Sequence, residues 1–165
     1  MEKKQISDIS IENAHIVFRN FSGKAGQFNP AGRRNFCVLL NTGIANDLTR
    51  IGWNVRWLEP RDPDANRQAY LQVSVSYLNK PPRIVMITDK GKTTLDEDMV
   101  QILDWAEIKE ADMIINPYLW EVSGKHGIKA YLRSLYVTLV EDEFATKYRD
   151  VPDAASSAIV EPDGN

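Results

Sequence analysis

The sequence predicts a mainly β fold: an antiparallel barrel or strongly curved sheet with long hairpin extensions and two short helices. Three observations predict it. Short apolar runs with two-residue alternation follow one another along the 165 residues, separated by clusters of Gly, Pro, Asn and Asp. Helical periodicity appears in only two brief stretches. Long helices do not alternate with the strands, which argues against a parallel α/β sheet.

Taken in order, Met1 to Ser10 is polar and reads as a flexible N-terminus. Ala14, Ile16 and Phe18 alternate with His15, Val17 and Arg19, a strand with one mostly apolar face. The connector that follows holds Gly23, Gly26, Pro30 and Gly32, excludes regular structure, and reads as a long mobile loop. Asn35 to Asn41 is the next strand, with Phe36, Val38 and Leu40 on one side and Cys37 and Leu39 on the other. Gly43 to Gly52 reads as a helix with Ile44, Leu48 and Ile51 on one face, Thr42 capping its start and Gly52 ending it.

Trp53, Val55 and Trp57 then alternate, and Glu59 to Ala69, with Pro60 and Pro63, is an exposed loop. Tyr70 to Tyr77 is the clearest strand: Leu71, Val73, Val75 and Tyr77 face a core, and Tyr70, Gln72, Ser74 and Ser76 face water. After a turn at Asn79 to Pro82, Arg83 to Thr88 is a strand and Asp89 to Lys92 a tight turn. Thr94 to Glu97 reads as a capping box, with Thr94 as N-cap of a second helix that buries Leu95, Met99, Ile102 and Leu103. Ala111 to Tyr118 is a strand, Leu119 to Gly127 a hairpin tip, and Ile128 to Val140 a long strand. Glu141 to Tyr148 adds a helical turn.

The domain boundaries expected are a flexible segment 1–10, one domain over 11–150, and an acidic disordered tail over 151–165. The tail carries Asp153, Glu161 and Asp163 and no Lys or Arg, so the net charge of -3 is that of the tail and the body is neutral. Positive charge can therefore gather on one face of the body. Cys37 is the one cysteine, which excludes an internal disulfide and suits a reducing cytoplasm. No run of about 20 apolar residues indicates a membrane span, and the first residues lack the apolar core of an export signal.

Catalytic chemistry finds little support. His15 and His126, the only histidines, have no Cys or acid at metal-ligand spacing, and no Walker loop or Gly-x-Ser-x-Gly elbow occurs. Asp96, Glu97, Asp98 and Asp104 could serve a metal-dependent nuclease, but acids at a helix start are also favoured by the macrodipole. No cofactor or metal is implied.

Cations interleaved with aromatic rings are the stronger signal. From His15 to Asn46 there is no acid, yet Arg19, Lys24, Arg33 and Arg34 occur with Phe21 and Phe28 among them. Tyr118 and Trp120 precede Lys125, and Lys129, Tyr131 and Arg133 share one face of a strand. Lys and Arg meet backbone phosphates while aromatic faces stack on bases, which is the chemistry of single-stranded nucleic-acid binding. Each group has an alternative role. Trp53 and Trp57 suit a core, Phe21 and Phe28 can fold back to plug a barrel, and Tyr118 and Trp120 can be half-buried packing. Arg33, Arg34 and the Lys129 stripe can be solvated surface.

The opening strand NAHIVFRNF, the loop SGKAGQFNPAGRR leading into NFCVLL, and the closing segment INPYLWEVSGKHGIKAYLRSLYVTLVEDE resemble a bacteriophage family of single-stranded-DNA-binding proteins with the OB-fold. The resemblance covers about Ile11 to Glu143. It implies an OB-fold-like barrel and non-catalytic, largely sequence-independent binding of single-stranded DNA in phage replication or recombination, in the host cytoplasm. It also implies that barrel-face aromatics and loop cations make the contacts: Arg19, Lys24, Arg33, Arg34, Lys125, Lys129 and Arg133 for phosphates, and Phe21, Phe28, Tyr118, Trp120 and Tyr131 for bases. Family tails recruit replication or recombination proteins and often end in a bulky aromatic; this one ends Asp163-Gly164-Asn165. The sequence leaves room for a homodimer. The alternative function is a protein-interaction module that captures a host enzyme.

Overall fold

The computed structural model describes residues 6–26, 29–78, 80–141 and 151. The helical turn expected at Glu141 to Tyr148 and the acidic tail fall, but for Glu141 and Val151, outside the described residues.

Among the described residues, nine strands join in one sheet. β1 (Ile9–Ile11) pairs antiparallel with β8 (Ile108–Val122). Ile9 and Ser10, expected within a flexible segment, instead find ladder partners in Ile115 and Ile114. β2 (Ile16–Asn20) pairs β3 (Arg34–Leu40), which pairs β5 (Gln68–Val75) along its whole length. The other edge of β5 takes β4 (Val55–Leu58) over Gln68 to Leu71 and β9 (Lys125–Leu139) at Ser74. β6 (Arg83–Thr88), paired with β7 (Gly91–Leu95), continues along the same edge of β9. β9 closes on β8, and the amide of Ala14 donates to the Ala111 carbonyl at 2.7 Å. The sheet β2-β3-β5-β9-β8 therefore curls back on itself, as a partly open Greek-key barrel does.

The sheet is mixed rather than purely antiparallel, since β9 runs parallel to both β5 and β6. Its inner face holds the core, with Phe36, Val38, Leu71, Val73, Ile115, Leu135 and Val137 buried. Phe21 joins them, stacked on Phe36 with centroids 5.1 Å apart.

One α-helix is present among the described residues, α1 (Thr42–Ile51). Its N-cap is Asn41, not Thr42: the Asn41 carboxamide oxygen accepts the Ile44 amide at 2.8 Å. Gly52 ends it as expected, and Ala45 and Leu48 are buried, leaving Ile44 and Ile51 exposed. The second expected helix is a short 3-10 helix, Val100–Asp104. Thr94 does not cap it, because Thr94 pairs with Val85 inside β7. The helix has no side-chain cap; Asp96 holds the turn just before it, its side chain accepting the amides of Asp98 and Met99 at 3.0 Å each.

The expected hairpin tip at Leu119 to Gly127 is strand almost throughout. Register holds to Val122↔Lys125, and only Ser123 and Gly124 turn, both with positive φ of 52° and 80°. Two positive φ values are the requirement of the tightest hairpin turn.

Candidate nucleic-acid interface

The outer face of the barrel sheet is assembled from residues that sit opposite each other across the strands. One row runs Asn35, Ser74, Tyr131, Asn116. A neighbouring row pairs Cys37 with Gln72, and beyond it Tyr70 lies between Leu39 and Arg56. On the hairpin, Tyr118 faces Lys129 and Trp120 faces Gly127. Two hollows open on this face. One, about 380 Å³, lies between Trp120, Gly127, Asn54 and Gln72. The other, about 470 Å³, lies between Arg33, Arg34, Tyr77 and Tyr131. Gln72 and Ser74 line both, so the two form one trough over β5.

Aromatic rings border it. Tyr118 and Tyr131 meet edge to face with centroids 6.0 Å apart, and the Lys129 ammonium lies 5.1 Å from the Tyr131 centroid. Trp120, 39% exposed, lies flat against Gly127. Phe18, 61% exposed, contacts Tyr70 edge-on at 6.2 Å.

Of the residues picked from sequence, Arg33, Arg34, Tyr118, Trp120, Lys129 and Tyr131 come together along the trough. Lys125 is exposed at the hairpin tip and Lys24 in the loop between β2 and β3. The described residues of that loop are tied down. The Asn20 carboxamide accepts the Lys24 amide at 2.8 Å and donates to the Lys24 carbonyl at 3.0 Å. Asn29 donates to the carbonyls of Lys24 and Arg33 at 3.0 Å each. Gly23 (φ 73°) lets the two arms touch, as a Cβ there would come 3.2 Å from the Gly32 carbonyl carbon.

Two expected contacts need correcting, and another cation, Arg133, already holds an acid. Phe21 is fully buried, so neither face of its ring is open to a base. Asp104 fixes that burial by accepting the amides of Phe21 and Ser22 at 2.6 and 3.2 Å. Arg19 points under the barrel, its guanidinium donating to the carbonyls of Leu103 and Ala106 at 2.9 and 2.6 Å. Arg133 leaves the stripe with Lys129 and Tyr131 and pairs with Asp8. Phe28 lies outside the described residues. Trp53 is buried, bridging β9 at Ile128, and Trp57 is half-buried under the Arg67 guanidinium at 5.0 Å.

Sequence reasoning missed Phe18, Tyr70 and Arg56. Tyr70 carried a signal, an aromatic residue on the wet side of the clearest strand. Phe18 carried none, because its place in the alternation pointed inward.

Electrostatics follow burial. Burial pushes the Cys37 thiol up to about 11, with Arg56 acting in the opposite sense, so the thiol stays neutral. Burial also raises Tyr77, against the pull of the Arg34 guanidinium 5.3 Å from its ring centroid. The Tyr77 hydroxyl is buried without a hydrogen-bond partner among the described residues. Burial alone would raise Asp8, but its hydrogen bonds from Asn116 and Arg133 outweigh this and hold it below the usual carboxylate range.

A family model described as "Putative phage ssDNA-binding domain" matches residues 1–165. Among solved structures, the chain is similar to the single-stranded DNA-binding protein from bacteriophage Enc34 in complex with ssDNA. The TM-score is 0.54 at 10% identity, covering 83% of this chain and 89% of that one. It is also similar to a second structure of the Enc34 single-stranded DNA-binding protein, with TM-score 0.52 at 10% identity, covering 91% and 89%. These likenesses are of fold. No curated protein matches the chain.

Proposed function

The chain belongs to the phage ssDNA-binding domain family, and from that premise we propose that the trough over β5 is where it binds single-stranded DNA, without catalysis. The observation that carries this reading is the composition of the trough and its border: Trp120 and Tyr131 line it with Arg33 and Lys129, while Tyr118, Tyr70, Phe18 and Arg56 stand beside it on the same face. Base stacking on such rings is worth about 1–3 kcal/mol per base and does not depend on which base it is. The floor is Asn35, Gln72, Ser74 and Asn116, whose amides and hydroxyls both donate and accept. Any base edge can be satisfied there, which supports largely sequence-independent binding.

The biological setting we infer is phage DNA replication or recombination in the host cytoplasm. No helix among the described residues is long and apolar enough to cross a membrane. Replication or recombination proteins docking on residues 151–165, and a homodimer, are the partners this reading adds. The protein-capture alternative has no feature of fold or family behind it.

Titrating the protein with oligo-dT while following tryptophan emission tests the reading. Trp120 is half-exposed on the trough, so its fluorescence should change on binding, and the affinity should fall as salt rises. An unchanged spectrum at low salt, together with an unshifted gel band, would remove the proposal.

A further inference from the structure

Two of the arginines named from the sequence already hold carboxylate partners, one lining the trough and one beside it. Arg34 Nη1 lies 3.3 Å from Glu97 Oε2, and Glu97 lines the same hollow as Arg33, Ser74 and Tyr131. Arg34 is fixed by more than this acid: its Nε donates to the Phe21 carbonyl at 2.9 Å and its guanidinium lies over the Tyr77 ring. The other pair is Arg133 with Asp8, which also accepts from Asn116 Nδ2 at 2.8 Å. Asn116 sits directly opposite Tyr131. The two acids thus bracket Tyr131, one brought by the segment before β1 and one by the segment after β7.

A carboxylate and a phosphate present the same pair of acceptor oxygens to a guanidinium. We propose that Glu97 and Asp8 are built-in anions that occupy Arg34 and Arg133 until DNA phosphates displace them. On this view the two acids set the affinity and the salt dependence of the single-stranded-DNA site; the inference rests on the binding function proposed above. A guanidinium that must first give up an internal anion contributes less to phosphate neutralisation than an unpaired one. Removing the acid should therefore raise affinity and also steepen the salt dependence, and a purely structural role would not do the second.

The experiment is a titration of fluorescein-labelled oligo-dT with the full chain across a salt series, for wild type, Glu97→Gln, Asp8→Asn and the double variant. Glu110→Gln is the control. It makes the same charge change six residues along β8 from Asn116, about 20 Å away and beyond the screening length of about 8 Å at physiological salt. Because Arg34 keeps Phe21 and Tyr77, Glu97→Gln leaves the arginine in place. Each acid variant should bind roughly fivefold more tightly, the effect of one nearby charge in water. The slope of log affinity against log salt should steepen by about 0.7 per acid removed, with Glu110→Gln unchanged. Variants that match Glu110→Gln in both affinity and slope overturn the proposal. So does weaker binding with urea melts intact, since the acids would then be aligning the arginines for DNA. Wild type that fails to bind at low salt overturns the underlying function instead.

Discussion

Gly127→Ala is the sharpest probe of the trough. A Cβ at Gly127 would lie 2.9 Å from Trp120 Cζ2 and 3.0 Å from both Cε2 and Nε1. Carbon atoms rest about 3.5–4.0 Å apart, so the indole must retreat by roughly 0.5–1 Å and tilt off the strand. The backbone at Gly127 is not in the left-handed region, so alanine meets no torsional strain. It also gains about 0.4–1 kcal/mol by restricting the unfolded chain, which offsets the displaced contact. Stability should stay within about 1 kcal/mol of wild type, while the platform for one base is lost. Losing one stacked base costs about 1–3 kcal/mol, or roughly a 5- to 150-fold weaker affinity. Anisotropy titration with labelled oligo-dT reads the affinity, a urea melt reads the stability, and tryptophan emission reports the moved ring. Trp120→Ala should give the same affinity. If both variants bind as wild type does, Trp120 is not a base platform and the assignment of the hairpin end of the trough is refuted.

Tyr131→Ala, at the centre of the face, should weaken oligonucleotide binding by about 1–3 kcal/mol; an unchanged titration would leave the trough without its middle. Phe21→Ala should instead cost about 3–5 kcal/mol of stability in urea, because the ring is fully buried against Phe36. A Phe21 variant that melts like wild type but loses affinity would put the ring on the binding face instead. Phe18→Ala should do the opposite of Phe21→Ala, lowering affinity while leaving the melt nearly unchanged, since that ring is mostly outside. Cys37 predicts a pH effect. Its thiol is raised from 9.0 to about 11, so the fold favours the neutral form and the Cys37 contribution is complete below pH 9 and lost as pH rises toward 11. Urea midpoints compared between wild type and Cys37→Ala across that range should converge or cross; parallel curves would contradict the burial of the thiol.

Much of this architecture was readable because the controlling interactions are local. Arg83–Thr88 begins and ends where its turn residues say it should, and the Leu71, Val73, Val75 alternation identifies the buried side of β5. What could not be read is set by partners far along the chain. Thr94 and Glu97 satisfy the capping-box pattern, yet Thr94 is taken by Val85 across the β6–β7 hairpin, and a ladder outcompetes a cap. The parallel seam of β9 against β5 and β6 has no sequence signal at all. It depends on one strand edge being shared by two partners that are themselves joined by a loop. The neighbourhood of Tyr118, Trp120, Lys129 and Tyr131 was legible because a tight hairpin holds them together, whatever the rest of the fold does.

Two of the misplaced site residues, Arg19 and Arg133, share a kind of cause. Between Val17↔Cys37 and Asn20↔Asn35, β2 spends one residue more than β3. That extra residue, with Phe18 at φ 51°, turns the phenyl ring outward and sends Arg19 under the barrel. Between Ile114↔Ser134 and Ile115↔Leu132, β9 spends one more than β8, and the extra residue is Arg133, which swings to Asp8. Bulges re-aim side chains and concentrate beside functional sites. Here each falls on a strand that borders the trough, and each changes what the trough contains: one adds an aromatic ring and removes a cation, and the other gives a cation an internal anion. A period-two reading must fail at such positions, because the alternation it assumes is what the inserted residue breaks. The departures from alternation on this face are therefore informative about the site, since each marks a place where the sheet gives up a regular ladder and the trough's chemistry changes.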